Sequence, residues 1–346
     1  MAEKGPRPRR ATLTTVAQAA GVSLPTVSKV VNGRGDVAPA TRARIEELLA
    51  QHEYVGTSQT RPHVRLRCLN LIFDTYLNPY SMEITRGVIE AAAELDVDVV
   101  LGLSKSPIPG ETWADRVVRS KREGLILVTT ELSAAQRDHF AAAHVPLVLI
   151  DPINVPDDDV VSIGATNWSG ALTAVNHLLQ LGHTRIGAIV GNPNAVFGGA
   201  RLHGYRAALS NAGLAYDPDL VRTGPVTFDA ARADSLVMLQ RPDRPTAVFA
   251  TSDVEALGVL EAARELGIRV PDQLSVISFD DTVLARMSAP PLTVISQPFA
   301  EMGQVATQTL LQLAAGQRPA SHRIELATKL VVRESTAAPS TPTEQV

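Results

Sequence analysis

A segment near the N-terminus carries side chains that could contact nucleic acid. Lys29 is a hydrogen-bond donor that can reach the O6 and N7 atoms of a guanine. Leu24 and Pro25 can offer only apolar contact, for example to a thymine methyl group. Short polar side chains suit contacts with phosphate, which position a protein on DNA without reading its sequence, and the segment has Thr12, Ser23, Thr26, Ser28, Asn32 and Thr41. These residue types predict a DNA-contacting surface.

Three predicted helices would position these side chains. The first ends at Ala20, where Gly21 interrupts it, and Ser23 is placed to cap a second helix that runs to Val31. A third helix covers about residues 39–52. Three short helices with a tight glycine turn between the first two indicate a helix-turn-helix domain over residues 12–53. In such a domain the second helix enters the major groove, and its first residues face the bases.

Charge is distributed unevenly along the 346 residues. Residues 1–67 contain eleven Lys or Arg and five Asp or Glu, a formal charge of +6, whereas the rest of the chain carries −10. A basic head on an acidic body is expected of a nucleic-acid-binding module joined to a regulatory body. No apolar run approaches the roughly 20 residues that span a bilayer, and no secretion signal is recognisable. We therefore expect a cytoplasmic protein, associated with the nucleoid, that makes no membrane contact.

Beyond a polar linker at residues 54–67, apolar strands alternate with amphipathic helices. The predicted strands are 69–73, 97–103, 124–128, 146–150, 185–190, 246–251 and 274–279, and the predicted helices are 80–95, 167–181, 201–212 and 253–266. Nearly continuous apolar strands between helices indicate parallel sheets that are covered on both faces. About ten strands are too many for one compact sheet. The sequence therefore predicts two doubly wound subdomains with a ligand cleft at the carboxyl ends of their strands.

Signatures of catalysis and of metal binding are not found in the sequence. It contains no GxxxxGK[ST], HExxH, GxSxG or strand-linked GxGxxG motif. His52, His139, His177 and His183 lack metal-ligand spacing, and the single Cys68 cannot form an internal disulfide. We expect a protein that is not an enzyme and that needs no metal or other cofactor.

The N-terminal segment closely resembles the DNA-binding head of the lactose-repressor-type (LacI/GalR) family of transcriptional regulators. The matching motifs are Val16-Ala17, Ala20-Gly21-Val22-Ser23, Thr26-Val27-Ser28-Lys29-Val30-Val31-Asn32 and Thr41-Arg42. The body also matches, in HLLQLGH at 177–183, Arg201-x-x-Gly204-Tyr205, SVISFDD at 275–281 and PPLTVISQPF at 290–299. The resemblance covers residues 12–334 and implies an all-α head followed by two subdomains of periplasmic-binding-protein type.

The resemblance implies a domain division and a set of ligand-binding residues. The body at 68–334 divides into 68–165 plus 298–328 and 166–297 plus 329–334. Composition predicts a flexible basic arm at 1–11, before the head and the linker, and a disordered tail at 335–346. The matching positions in the cleft are Asp151, Arg201, Ser252, Asp280, Gln297 and Phe299, and Asn78, Tyr80 and the aromatic Phe228 are further candidates, as is Trp168. Paired carboxylates, a guanidinium and an aromatic face are suited to a sugar.

Several positions depart from the family pattern, among them Thr15 in place of a usual Asp. Lys29 replaces the usual Arg, which removes a planar donor fork, and Ser252 replaces a common Asn. In the linker, His63 occupies the position of the leucine that wedges into the minor groove. We expect less operator bending than in the family, or a minor-groove contact by Arg61 in its place.

These observations predict a repressor of carbohydrate-utilisation genes. It would bind double-stranded operator DNA as a homodimer, under control of a small sugar-like effector. A cytoplasmic sugar-binding receptor without DNA function is the alternative, and an α/β enzyme such as a sugar kinase or isomerase is a third. Specific, salt-dependent DNA affinity separates the first from the other two.

Overall fold

A computed structural model describes residues 12–31, 34, 36–51, 67–74, 78–105 and 110–340. The chain divides into two compact units, residues 1–66 and 67–346. Each unit is described on its own below. No helix in the described ranges is long and apolar enough to cross a membrane.

The N-terminal unit is a three-helix head. Its helices are α1 (Leu13–Ala20), α2 (Leu24–Val31) and α3 (Pro39–Gln51). Gly21 has a φ of +67°, a left-handed conformation that glycine adopts readily, so the chain turns sharply between α1 and α2. One apolar face of each helix packs into a shared core of Val16, Ala17, Ala20, Val27, Val30 and Ile45. The predicted helix-turn-helix is confirmed.

The C-terminal unit contains two six-stranded sheets. The first sheet has the order β11-β5-β4-β3-β1-β2, and all its strand pairs are parallel. Its strands are β1 (Cys68–Phe73), β2 (Asp98–Leu103), β3 (Leu125–Val128), β4 (Leu147–Ile150), β5 (Val161–Ala165) and β11 (Arg323–Leu326). Helices α4 (Pro79–Glu94) and α12 (Phe299–Ala314) cover one face, and α5 (Trp113–Ser120) and α6 (Ala134–Ala142) cover the other.

The second sheet has the order β12-β10-β9-β8-β6-β7, with only β12 antiparallel to its neighbour among the described strands. Its strands are β6 (Ile186–Val190), β7 (Val221–Thr223), β8 (Ala247–Ala250), β9 (Ser275–Asp280), β10 (Thr293–Ser296) and β12 (Lys329–Val331). Helices α7 (Asn167–Gln180) and α8 (Val196–Asn211) cover one face, and α9 (Phe228–Leu239), α10 (Asp253–Glu265) and α11 (Val283–Met287) cover the other. The predicted fold class, two doubly wound parallel-sheet subdomains behind an α-helical head, is confirmed.

The chain passes between the two subdomains three times. It crosses from β5 to α7, from β10 to α12 and from β11 to β12. Two of the crossings meet at Thr166 and Thr328, whose hydroxyl oxygens lie 2.9 Å apart. The Thr328 backbone N–H also donates to the Thr166 hydroxyl over 3.0 Å. These hydrogen bonds join the connection between β5 and α7 to the connection between β11 and β12.

The expected disorder from Ser335 onward is wrong for residues 335–337. Ser335 is fully buried, and its hydroxyl donates to the carbonyl of Val276. The carbonyl of Ala337 lies 2.9 Å from Nε2 of the buried His183, and the Ser275 hydroxyl donates to the same carbonyl over 3.0 Å. Polar composition predicted disorder, but the Ser335 hydroxyl and the Ala337 carbonyl complete hydrogen bonds at the amino-terminal end of β9, a central strand of the second sheet.

Helices α4 and α12 approach each other closely at two glycines. A Cβ atom built on Gly303 would lie 2.6 Å from backbone atoms of Gly87 and Val88, and one built on Gly87 would lie 2.8 Å from the Cα of Ala300. Backbone cannot give way as a flexible side chain can. We expect Gly303→Val to lower the free energy of unfolding by about 1–3 kcal/mol, as overpacking of a core does. Urea titration measures this, with Gly224→Val as the control, because a Cβ atom on Gly224 would meet no atom closer than 3.8 Å and its φ is not in the left-handed region; equal costs would contradict the packing explanation.

Candidate nucleic-acid interface and ligand cavity

The first turn of α2 presents an exposed surface. Ser23, Leu24 and Pro25 are exposed, and Leu24 retains 46% of its accessible area despite its apolar side chain. Val27 and Val30, on the opposite face, are buried. The helix therefore holds its apolar face in the core while the predicted base-reading residues remain accessible.

Lys29 forms an ion pair at the edge of this surface. Its Nζ lies 2.6 Å from Oδ2 of Asp36, and both side chains are substantially exposed. The hydrogen bond from Lys29 holds the pKa of Asp36 below its usual value. Exposed pairs of this kind contribute little to stability, so Lys29 can exchange Asp36 for a base or a phosphate at low cost.

The other candidate DNA-binding residues have local roles or lie elsewhere. The Thr12 hydroxyl accepts from the backbone N–H of Thr15 over 3.4 Å, which caps α1. Ser23 caps α2 in the same way through the N–H of Thr26, and their hydroxyls lie 2.8 Å apart. Thr26, Ser28 and Thr41 are half-buried. Asn32 and Arg61 lie outside the described residues.

A cavity of about 180 Å³ lies between the two subdomains of the C-terminal unit. It is lined by Asn78, Tyr80, Thr129, Asp151, Gly191, Asn192, Phe197, Gly198, Arg201, Val226, Thr251, Ser252, Glu255 and Asp280. Thr129, Asp151, Gly191 and Thr251 directly follow strands β3, β4, β6 and β8, and Asp280 ends β9. The cavity therefore occupies the carboxyl ends of both parallel sheets, where doubly wound folds bind ligands.

Three lining residues adopt a backbone conformation that favours glycine. The φ angles of Thr129, Asp151 and Asp280 are +45°, +43° and +117°. Positive φ is uncommon for residues with a Cβ, and it is most costly for a β-branched residue such as threonine. Strained residues of this kind concentrate at functional sites.

Arg201 is the cationic centre of the cavity wall contributed by the second subdomain. It is 5% exposed and is held by the Asn167 side chain at 2.8 Å and the Thr251 carbonyl at 2.6 Å. Its Cζ atom lies 3.9 Å from the centre of the Phe279 ring, a cation–π contact. These contacts fix the plane of the guanidinium group before any ligand arrives.

Asp280 forms a buried ion pair with this guanidinium. Its Oδ1 lies 3.4 Å from Nη1 of Arg201 and accepts from Nε2 of Gln297 over 2.6 Å. Burial raises the pKa of Asp280 to about 8, against the opposing pull of Arg201. Gln297 itself does not line the cavity but lies behind Asp280, so it orients the carboxyl group.

The opposite wall, from the first subdomain, presents Asp151 and Tyr80. The Tyr80 hydroxyl donates to Oδ2 of Asp151 over 2.6 Å. Burial raises the pKa of both side chains, and the neighbouring carboxylate raises that of Tyr80 further. Asn78 caps α4 by accepting from the N–H of Ser81 over 2.8 Å. Two polar walls thus face each other across the cavity.

Three aromatic residues that were predicted to contact the ligand do not line the cavity. Phe299 is 6% exposed and belongs to the core of the first subdomain, where its ring packs edge-on against Tyr80 at 5.3 Å. It supports the cavity wall from behind. Phe228 is 39% exposed at the start of α9, and Trp168 lies in a neighbouring groove. The family resemblance predicted Phe299, and aromatic character predicted Phe228 and Trp168, but packing places all three outside the cavity.

Glu255 is the main residue of the cavity that the sequence reading missed. Its Oε2 accepts from the hydroxyls of Thr251 over 2.8 Å and Ser252 over 3.0 Å, and its N–H donates to Ser252 over 3.3 Å. The spacing Ser252-x-x-Glu255 has the form of a capping box, which could have indicated that this side chain turns back toward the end of β8. The aromatic Phe197 was missed because it lies before the predicted start of α8.

Within the described ranges, no group of three or more His, Cys, Asp or Glu is arranged to hold a metal ion. The acidic lining residues of the cavity are instead paired with a guanidinium, a phenol, an amide and hydroxyl groups. Such an arrangement is suited to a ligand that both donates and accepts hydrogen bonds.

Comparison with known proteins assigns both parts of the chain. Residues 12–56 match the family described as bacterial regulatory proteins, lacI family, and residues 175–336 match the periplasmic binding protein-like domain. The HTH-type transcriptional regulator DegA of Bacillus subtilis (strain 168) is 33% identical over 336 residues, which cover 95% of this chain and 98% of DegA.

Two solved structures are similar over almost the whole chain. A complex of the transcriptional regulator CelR with cellobiose is 33% identical, with a TM-score of 0.72, and the match covers 94% of this chain and all of CelR. The lac repressor dimer bound to operator and an anti-inducer is 28% identical, with a TM-score of 0.68, and the match covers 95% of this chain and all of that one.

Proposed function

The chain belongs to the LacI family of bacterial regulatory proteins, and on that premise we propose that it represses carbohydrate-utilisation genes by binding an operator under the control of a sugar-like effector. The observation that carries the effector site is the pair of facing walls in the cavity. Arg201 and Asp280 belong to one subdomain, and Asp151 and Tyr80 belong to the other.

A ligand between these walls would act as a link between the subdomains. An effector that contacts both walls binds tightly only when they are at one separation, so it stabilises that arrangement over others. Differential affinity of this kind is what allows a ligand to shift a conformational equilibrium. The polar walls are suited to sugar hydroxyls, since Arg201 donates and the carboxyl groups accept. The complex of the related CelR with cellobiose supports a sugar effector.

A homodimer is part of this proposal. The first subdomain exposes large apolar side chains on α4, at its C-cap and at the sheet-edge strand β2: Met82 (61%), Ile89 (45%), Leu95 (40%) and Leu101 (45%). Exposed apolar patches mark interaction sites. A second copy on this face would pair two heads, as a two-fold symmetric operator requires. The site of action would be the nucleoid, in the cytoplasm.

Fluorescence anisotropy with full-length protein tests the proposal. The operator is obtained by in vitro selection, and the titration is repeated with a panel of mono- and oligosaccharides that includes cellobiose. We expect nanomolar, palindrome-dependent binding that one sugar weakens. If each dimer contacts 6–10 phosphates, affinity should fall about 10³–10⁵-fold between roughly 50 and 200 mM salt. Failure to select any specific operator would overturn the proposed DNA function.

A further inference from the structure

The cavity contains more acid than base. Three carboxyl groups line it, from Asp151, Glu255 and Asp280, and they are 4%, 1% and 6% exposed. Arg201 is the single cationic side chain among the described lining residues. If all four groups are ionised, the buried surface carries an uncompensated charge, which is costly in a medium of low dielectric constant.

Among the described residues, Arg201 forms an ion pair with only one of these carboxyl groups, that of Asp280, and it lowers the pKa of Asp151 and Glu255 from a longer distance without offsetting the effect of burial. Its Nη1 already contacts Asp280 and the Thr251 carbonyl, and its Nε is bound to Asn167. The side-chain donors that reach the other two carboxyl groups are neutral. Tyr80 donates to Asp151, and Thr251 and Ser252 donate to Glu255. Glu255 lines the cavity and is 1% exposed. No cation among the described residues contacts its carboxyl group.

The pKa of Glu255 agrees with this charge balance. Burial raises this pKa to about 7, because the hydrogen bonds from Thr251 and Ser252 and the more distant Arg201 lower it by less than burial raises it. A ligand group that brings a positive charge and hydrogen-bond donors would therefore be stabilised beside this carboxyl group.

We propose that the effector carries a protonated amino group, which binds against Glu255, and that Glu255 determines this specificity. An ammonium group offers three donors, a positive charge and no acceptor, so it supplies what the cavity lacks. The hydroxyl groups of the same molecule would contact Arg201, Asp280 and Asp151. An amino sugar combines both features. This inference rests on the proposed function, because it takes the cavity to be the effector site.

The charge balance disfavours two other ligand classes. A neutral sugar can bond to the same carboxyl groups but supplies no positive charge, so these groups must stay partly protonated near neutral pH. An acidic sugar adds a further negative charge to a buried site that already has three carboxyl groups. We therefore expect affinity to rank amino sugar above neutral sugar, and neutral above acidic, for compounds of the same ring and linkage.

Matched ligand pairs test the proposal. Isothermal titration calorimetry and thermal shift are measured with glucosamine against glucose, galactosamine against galactose, and the β-1,4-linked glucosamine dimer against cellobiose. We expect at least one amino compound to bind at least tenfold more tightly than its neutral partner. Equal or tighter binding of every neutral partner would overturn the inference, and so would a lack of binding by all three amino compounds.

Variants of Glu255 assign the effect to this side chain. Glu255→Gln keeps the shape of the side chain but removes its charge. We expect this variant to bind the amino compound and its neutral partner with about equal affinity. Glu255→Asp retains a carboxylate and should retain part of the preference, which separates a charge effect from misfolding. Glu261→Gln removes the same charge from a half-buried position of the same helix outside the cavity, where Glu261 pairs with Arg264, and should change nothing. An unchanged preference in Glu255→Gln would contradict the assignment.

The inference and the proposed function can fail separately. If a neutral sugar alone releases the operator, the protein is a sugar-controlled regulator and the amino-group inference is wrong. If no specific operator exists, the proposed function fails, whereas calorimetry still reports whether the cavity prefers an amine.

Discussion

Replacement of Arg201 by alanine is expected to lower the free energy of unfolding by about 3–5 kcal/mol, the cost of breaking a buried ion pair by removing one partner. The variant leaves Asp280 without its cation, and it leaves the Asn167 side chain and the Thr251 carbonyl without their donor. We also expect effector binding to be lost, because the guanidinium lines the cavity. Operator binding by the variant should persist under conditions in which it is folded, because the residues that contact DNA lie in the head and not in the cavity.

The pH dependence of this deficit gives a second readout. The folded-state pKa of Asp280 is raised from 3.8 to about 8, so its proton favours the folded protein. Its contribution to stability is therefore greatest below pH 3.8, falls as the pH rises and becomes level above pH 8. Without Arg201 the folded-state pKa rises further, so the stability of the variant continues to fall above pH 8. We expect the free energy of unfolding of the variant to lie further below that of the wild type at pH 9 than at pH 7.

Urea titrations of the wild type and the variant at both pH values measure these effects. Arg206→Ala is the matched control, since Arg206 lies on the same helix and is exposed, where it contacts Tyr216. It should cost far less than Arg201→Ala, with no pH dependence of this kind. Equal costs for the two variants would show that the buried pair does not stabilise the cavity.

Replacement of Lys29 by alanine is expected to weaken operator binding by about 5–150-fold, the 1–3 kcal/mol of a well-placed base contact. Lys29 lies on α2, one turn beyond the exposed residues Leu24 and Pro25, and its partner Asp36 is itself exposed. If Lys29 reads a guanine, the preference at that one base pair should weaken in the variant. Lys29→Arg should sharpen it, because a guanidinium can donate two parallel hydrogen bonds.

Binding to a library of single-base operator variants, measured at two salt concentrations, distinguishes base reading from phosphate contact. Arg44→Ala removes the same charge from an exposed position on α3. It should weaken all operators similarly and leave base preference intact. A uniform loss for Lys29→Ala as well would assign Lys29 to phosphate contact and refute the base-reading role.

Local signals were sufficient to predict the head. Gly21 ends α1, Ser23 caps α2, and the valines of α2 recur at the spacing of a helix face. The central strands of both sheets were equally clear, because strands that are covered on both faces consist almost entirely of apolar residues. Fold class followed from their alternation with helices.

Elements that depend on tertiary contacts could not be predicted as easily. Strand β11 reads Arg-Ile-Glu-Leu and β7 has three residues, so neither shows the apolar run of a buried strand. Helix α5 was also missed, although Thr112 and Asp115 form a capping box at its start. A capping box of this kind is a local sequence signal for the start of a helix.

The cavity residues also fall into two groups, those with a local signal in the sequence and those whose position depends on tertiary packing. Asp151 and Asp280 were predictable because each lies at the carboxyl end of an apolar strand, and Arg201 was identified through its family spacing. Phe299 was misplaced because nothing in the local sequence tells a core aromatic from a stacking one. Glu255 was missed because a glutamate in the first turn of a helix is usually read as a favourable interaction with the helix dipole.

The interlaced path of the chain has a consequence for the order of events during synthesis. The core of the first subdomain includes Phe299, Met302, Ala306 and Leu310 of α12, although its first strand begins at Cys68. A nascent chain that has not yet been synthesised past α12 therefore lacks part of this core and cannot complete the first subdomain. The head, whose core lies between Val16 and Ile45, has no such dependence. We expect the DNA-binding module to fold long before the module that regulates it.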